Sequence, residues 1–185
     1  MEFMPARLVP VESDLLVDRI GRHFREHGFG LYALELRQDR AFIGFAGLSV
    51  PAFQAHFTPC VEIGWRLSAE YWGRGLATEA GAAVVRYAFQ SLALDALVSF
   101  TVPENIRSRR VIEKIGMTHN PAEDFDHPNL PEGHPFRRHV LYRLPAPSRQ
   151  TAAAFPARVP VPRALTATRL RLAGIQHRWI PRVPH

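Results

Sequence analysis

The sequence holds one lysine, Lys114, one cysteine, Cys60, and no apolar run approaching 18 residues. Each scarcity excludes something. Without a long apolar run there is no candidate for a membrane-spanning helix. A lone cysteine cannot close an internal disulfide, which fits a reducing cytoplasm as the expected location. The start, Met1-Glu2-Phe3-Met4-Pro5, has neither the basic residues nor the apolar stretch of a secretory leader. A single lysine far from any glycine turn rules out a Walker-type phosphate loop, which requires Gly-Lys-Ser/Thr.

Acidic residues are missing from one region only. Residues 146–185 carry seven arginines and no acid, a charge of +7, whereas residues 1–145 carry 16 basic and 17 acidic side chains, a charge of −1. The overall +6 therefore belongs to the C-terminal segment. Nucleic acid is then expected to be at most a weak partner, held through that segment alone. Six prolines fall among the same 40 residues, separated by Ala, Arg and short apolar pairs. That texture reads as a disordered basic tail following a single domain over residues 1–145. Residues 166–175 offer one helical stretch within it, with no evident partner face.

Periodicity supplies the rest. Residues 13–27 read as a helix, with Ser13 as cap, Leu16, Ile20 and Phe24 on one face and Gly28 as its stop. Strands are expected over 31–37 and 41–50 as a hairpin, over 61–67, over 96–101 and over 139–144. Helices are expected over 77–92 and from Asn105 to about Gly116. Hairpin strands followed by β-α-β-α-β describe an α/β chain of the α+β kind, with a mixed sheet and helices on both faces.

Trp72-Gly73-Arg74-Gly75-Leu76-Ala77-Thr78 links a strand to a helix. Glycines there strip away side chains, so that backbone N–H groups and the positive end of the helix converge on an anion. Thr78 stands where a dinucleotide fingerprint needs its third glycine. Alone, the turn reads more readily as purely structural than as an anion site.

The flanking residues give it a context. Val61-Glu62-Ile63-Gly64-Trp65-Arg66-Leu67 precedes the turn, and Asn105-Ile106-Arg107-Ser108 with Glu113-Lys114-Ile115-Gly116-Met117 comes about 30 residues later. This pair of motifs resembles the GNAT N-acetyltransferases, whose Q/R-x-x-G-x-G/A pattern falls on Trp72, Gly75 and Ala77. Tryptophan at the first position, N-x-x-S and E-K-x-G-M are similar to the Rim-type branch, which acetylates N-terminal amines of ribosomal proteins.

The resemblance implies a mostly antiparallel twisted sheet with a splayed central strand pair that admits acetyl-CoA as cosubstrate, with no metal. It places Gly73, Arg74, Gly75, Leu76, Ala77 and Thr78 at the pyrophosphate and the backbone of Leu67 beside the pantetheine arm. Because these are backbone roles, bulk at Gly73 or Gly75 is expected to cost more than replacing Arg74 or Leu76. Glu62 takes the place of a base acting through water, and Ser108 that of a partner for the departing thiolate. Asn105 falls near the cofactor. Glu62 also reads as an ordinary strand carboxylate, and Ser108 and Asn105 as helix-start residues. Arg109 and Arg110 read as a solvated helix face or as CoA phosphate contacts.

Cys60 reads as a packed thiol, and Asp124, Asp126, His127 and His134 as a polar loop facing the acceptor. The family's first strand and helix are shortened to residues 3–11 or missing, which leaves a sheet edge open to a second copy of the chain. The expected activity is acetyl transfer to a primary amine, either a protein N-terminus or a small molecule. The alternatives are an acyl-CoA-binding module without catalysis and a nucleic-acid-associated protein working through its tail.

Overall fold

A computed structural model describes residues 10–147 and 169–174 of the chain. Helix α1 (Pro10–His27) starts three residues ahead of the expected cap. It ends where Gly28 turns to φ 76°, with the Gly28 N–H still bonded to the Phe24 carbonyl at 2.9 Å. His23 ties the helix to Phe29 and Val50. Its Nε2 accepts from the Val50 N–H at 2.9 Å, so its Nδ1 carries the proton given to the Phe29 carbonyl at 2.8 Å.

Strands β1 (Leu31–Leu36) and β2 (Phe42–Ser49) form the expected antiparallel hairpin. Strand β3 (Glu62–Leu67) pairs antiparallel with β2, and a 3-10 turn (Ala69–Tyr71) leads into α2 (Leu76–Gln90). Strand β4 (Ala96–Thr101), α3 (Ile106–Lys114), the short β5 (Thr118–His119) and β6 (Phe125–Asp126), and β7 (Arg138–Pro145) come next. Among the described residues the sheet order is β5-β7-β4-β3-β2-β1-β8, with β6 added on β7, and only β3 and β4 run parallel. Sequence patterning located each of the longer elements up to β7 within three residues.

Two apolar layers cover the faces of the sheet. On one, α2 buries Leu76, Ala80, Ala83, Val84, Tyr87 and Ala88, positions recurring three and four apart, against Leu34, Ile43, Leu48, Ile63 and Leu67. Ile112 of α3 joins this layer. On the other face Phe57, Val98, Phe125 and Leu141 form a second cluster, flanked by Phe53, Cys60 and Phe100.

The last strand, β8 (Leu170–Gly174), departs from the expected tail. It pairs antiparallel with β1 from Tyr32↔Gly174 to Leu36↔Leu170. Leu170 and Leu172, 0% and 1% exposed, enter the α2 layer, and Arg171 on the opposite face lies 3.8 Å from Glu35. The alternation of arginine and leucine over 169–172 has the strand period of two, so the helical reading of 166–175 is corrected over β8. The β1 edge expected to stand open is covered by the chain's own C-terminal segment. Residues 3–9, 148–168 and 175–185, on which the shortened first strand and the remaining tail were expected, lie outside the described residues.

Candidate active site

Strand β3 holds β2 along its whole length, and β4 holds β7 from Ala96↔Pro145 to Thr101↔Val140. Between β3 and β4 only one register pair forms, Glu62↔Val98, closed by a 2.9 Å bond from the Val98 N–H to the Val61 carbonyl. Beyond it the two strands diverge. The result is a V whose vertex is Glu62 and whose open end lies between the 3-10 turn with α2 on one side and the start of α3 on the other.

The glycine turn forms one lip. Gly73 and Gly75 both adopt φ 75°, the left-handed region that disfavours any side chain. Gly75 is the N-cap of α2 and gives no side-chain cap bond, so the first-turn N–H groups that cannot bond within the helix keep their capacity for an external acceptor. A Cβ at Gly73 would meet nothing within 4 Å, which leaves the turn open on that side. Leu76 behaves differently from the expectation that its side chain is replaceable. It is 3% exposed and packs in the α2 layer, so its side chain matters to stability whatever its backbone does. Substituting Gly75 by Ala is expected to weaken CoA binding several-fold through the strain of φ 75°, and calorimetric titration of the variant checks this.

Trp72 closes part of the V. Its indole N–H donates to the Leu67 carbonyl at 2.9 Å, so the backbone oxygen of the residue expected beside the pantetheine arm already holds a partner. The Arg107 guanidinium lies 4.9 Å from the centre of the indole ring, bridging the start of α3 to the glycine lip. The tryptophan that departs from the usual first residue of the motif therefore links both sides of the cleft.

Glu62 occupies the vertex, on the face opposite α2. Val98, its register partner, belongs to the second apolar cluster on that face. Burial pushes the Glu62 carboxyl up to about 7, and the Ser49 hydroxyl, which donates to its Oε2 at 3.1 Å, pulls in the other direction. Desolvation wins because one neutral hydrogen bond replaces only a fraction of lost water. A carboxylate poised near neutrality is suited to take a proton at physiological pH. Ser49 was missed in the sequence, lying 13 residues away with no motif to mark it.

On the α3 side, Asn105 is the N-cap: its Oδ1 accepts from the Ser108 N–H at 3.2 Å, and its Nδ2 donates to Thr101 Oγ1 at 3.0 Å. Its amide thus has a structural task. Ser108 sits in the first turn of α3, half-buried, in the segment that Arg107 joins to Trp72. Arg109 is turned inward, donating from Nε to the Tyr142 hydroxyl at 3.0 Å and from Nη1 to the Pro103 carbonyl at 3.1 Å. It braces α3 on β7. Arg110 is exposed.

Cys60 packs beside the second cluster, and burial, assisted by the Glu62 charge, pushes its thiol up to about 11. A thiol so protonated is no nucleophile near neutrality. The four loop residues do not come together. Asp124 pairs with His119 at 2.8 Å, Asp126 with Arg137 and Arg138 at 3.5 Å, and His134 Nδ1 accepts from the Phe136 N–H. His127 joins Phe53, Phe100, Phe125 and His139, with 5.1 Å between the two imidazole centres. Burial lowers the pKa of both histidines, so this aromatic wall beside the Glu62 face is uncharged at neutral pH.

Comparison with known proteins gives a consistent result. Residues 1–118 match the profile described as acetyltransferase (GNAT) domain. The chain is 34% identical over 107 residues to the FsC-acetyl coenzyme A-N(2)-transacetylase of Aspergillus fumigatus, covering 54% of this chain and 46% of that protein. It is 35% identical over 83 residues to the uncharacterized N-acetyltransferase YnaD of Bacillus subtilis, covering 45% and 47%. The chain thus spans about half the length of the curated relatives it matches. Among solved structures, an acetyltransferase from Agrobacterium tumefaciens is 29% identical with a TM-score of 0.57, over 76% of this chain and 74% of that one. The ribosomal-protein-S5-alanine acetyltransferase of Vibrio fischeri shares the fold at 15% identity, with a TM-score of 0.62 over 79% of each chain.

Proposed function

The chain belongs to the GNAT acetyltransferase family, and from that premise we propose that it moves an acetyl group from acetyl-CoA to a primary amine by direct attack in a ternary complex. The observation that carries the reading is the V between β3 and β4, with a carboxyl of near-neutral pKa at its vertex. In this reading the N–H groups from Arg74 to Thr78 hold the pyrophosphate. The acetylated arm runs into the V toward Glu62. The acceptor amine arrives on the opposite face, along the wall of Phe53, Phe100, Phe125, His127 and His139.

Glu62 takes a proton from the ammonium, directly or through water, and the freed nitrogen lone pair attacks the thioester carbon. As the tetrahedral intermediate collapses, the C–S bond breaks. Ser108, at the open end of the V, donates a hydrogen bond to this sulfur, which takes up the second proton released by the attacking nitrogen and leaves as the thiol. The pKa values also favour one class of acceptor. An α-amino group, near 7.7–8.0, gives its proton readily to a base near 7, whereas a lysine amine, near 10.4, gives it roughly 250- to 500-fold less readily. An N-terminal α-amine or a similarly weak small-molecule amine is the favoured acceptor.

The test is release of CoA from acetyl-CoA across a panel of peptides with free N-termini, lysine side-chain amines and small amines. Turnover is expected with α-amines ahead of lysine amines. Tight CoA binding with no turnover on any amine would instead support an acyl-CoA-binding module.

A further inference from the structure

Arg169, the residue just ahead of β8, reaches the glycine turn at Arg74, 95 residues earlier in the chain. Its backbone N–H donates to Glu79 Oε1 at 2.6 Å, and its guanidinium Nε donates to Glu79 Oε2 at 2.9 Å. The same guanidinium donates from Nη1 to the Arg74 carbonyl at 3.1 Å, and Nη2 lies 3.5 Å from where a Gly75 Cβ would stand. β8 holds this residue in place by burying Leu170 and Leu172 immediately beside it, and the Arg37 N–H fixes the Arg169 carbonyl at 3.0 Å.

Glu79 lies in the first turn of α2, one residue beyond the amides assigned to the pyrophosphate, and its side chain is only 17% exposed. A carboxylate there is favourable to the helix dipole but unfavourable to a diphosphate arriving at the same N–H groups. Arg169 answers both of its oxygens, and it holds a turn carbonyl that would otherwise add negative character beside the anion.

We propose that Arg169 is a positioning residue for the cosubstrate: the C-terminal strand delivers a guanidinium that neutralises Glu79 and fixes the glycine turn, so the turn accepts a diphosphate. The proposal rests on the acetyl-CoA reading of the V. It gives part of the basic C-terminal segment a task inside the fold.

The experiment uses the full-length chain. Arg169→Ala is expected to raise the Kd for CoA about tenfold, a change of the size expected for losing a charge-assisted contact. Acetyl-pantetheine, which lacks the diphosphate, should be turned over by this variant as it is by the unaltered protein. Adding Glu79→Gln to Arg169→Ala should bring the Kd for CoA back to within about twofold of the original, since an unbalanced charge is then removed. Arg169→Gln, which keeps most of the side chain, repeats the measurement should the alanine variant fail to fold.

Unchanged CoA affinity in a folded Arg169 variant overturns the proposal. So does an equal loss toward acetyl-pantetheine, which marks a general structural defect, and so does the absence of recovery with Glu79→Gln. Failure of the unaltered protein to bind CoA is a different result, because it removes the acetyl-CoA reading itself.

Discussion

Replacing Glu62 by Gln is expected to lower kcat/KM for the preferred amine by about 10²-fold or more at pH 7, the usual range for losing a positioned general base. The pH profile should separate this from a packing defect. As the proposed base, Glu62 works only when ionised, and burial has raised its pKa to about 7, so activity is expected to climb as pH rises through 7. The Glu62→Gln enzyme loses that acid limb. Ser49→Ala keeps it but moves it to higher pH, because the hydroxyl that stabilises the carboxylate is gone.

Stability runs the other way. A carboxyl whose pKa rises from 4.5 in the unfolded chain to about 7 in the fold binds its proton more tightly when folded. Stability is therefore fully retained below 4.5 and is eroded as pH rises through 7. Thermal melts should find Glu62→Gln more stable than the unaltered protein at pH 8, with the difference closing toward pH 5. A variant with full activity and an unchanged acid limb would remove Glu62 from the chemistry.

What could be read in the sequence divides along the range of the interactions involved. The helix stop at Gly28, the buried β4 and the capped start of α3 each depend on neighbours within a few residues, and patterning located them. The glycine turn and Glu62 were legible because two motifs on adjacent elements constrain each other. Ser49, Tyr142 and Arg169 were not, since each acts through a partner that only the fold brings near. Arg109 shows why a helix-face argument fails there. Its position on α3 looks solvated until β7 places the Tyr142 hydroxyl 3.0 Å from its Nε. Leu76 shows the same for the turn: one residue supplies a backbone donor and a buried side chain at once. The tail misled for a compositional reason. Proline, alanine and arginine outweigh the short alternation Arg169-Leu170-Arg171-Leu172, whose partner strand β1 lies near the other end of the chain.

That alternation carries the second large effect. Leu172→Ala is expected to destabilise the protein by about 2–5 kcal/mol, the range for truncating a leucine in a filled core. Leu172 is 1% exposed beneath α2, and Leu170 beside it is fully covered, so neither site offers an easy route for solvent or collapse to compensate. Chemical denaturation with the full-length chain measures the loss. Leu172→Asp should go further, because a charge buried without a partner in that layer costs more than the cavity does. Unlike an arginine-only tail, β8 also closes the sheet. With it detached, β1 would present unpaired N–H and C=O groups along Leu31–Leu36, and an open edge of this kind invites pairing with another copy. The Leu172→Asp protein is accordingly expected to associate as it loses stability, which light scattering at rising concentration detects. A tail that merely trailed from the domain would leave both the denaturation midpoint and the scattering unchanged, and that outcome would remove β8 from the fold and Arg169 from the glycine turn together.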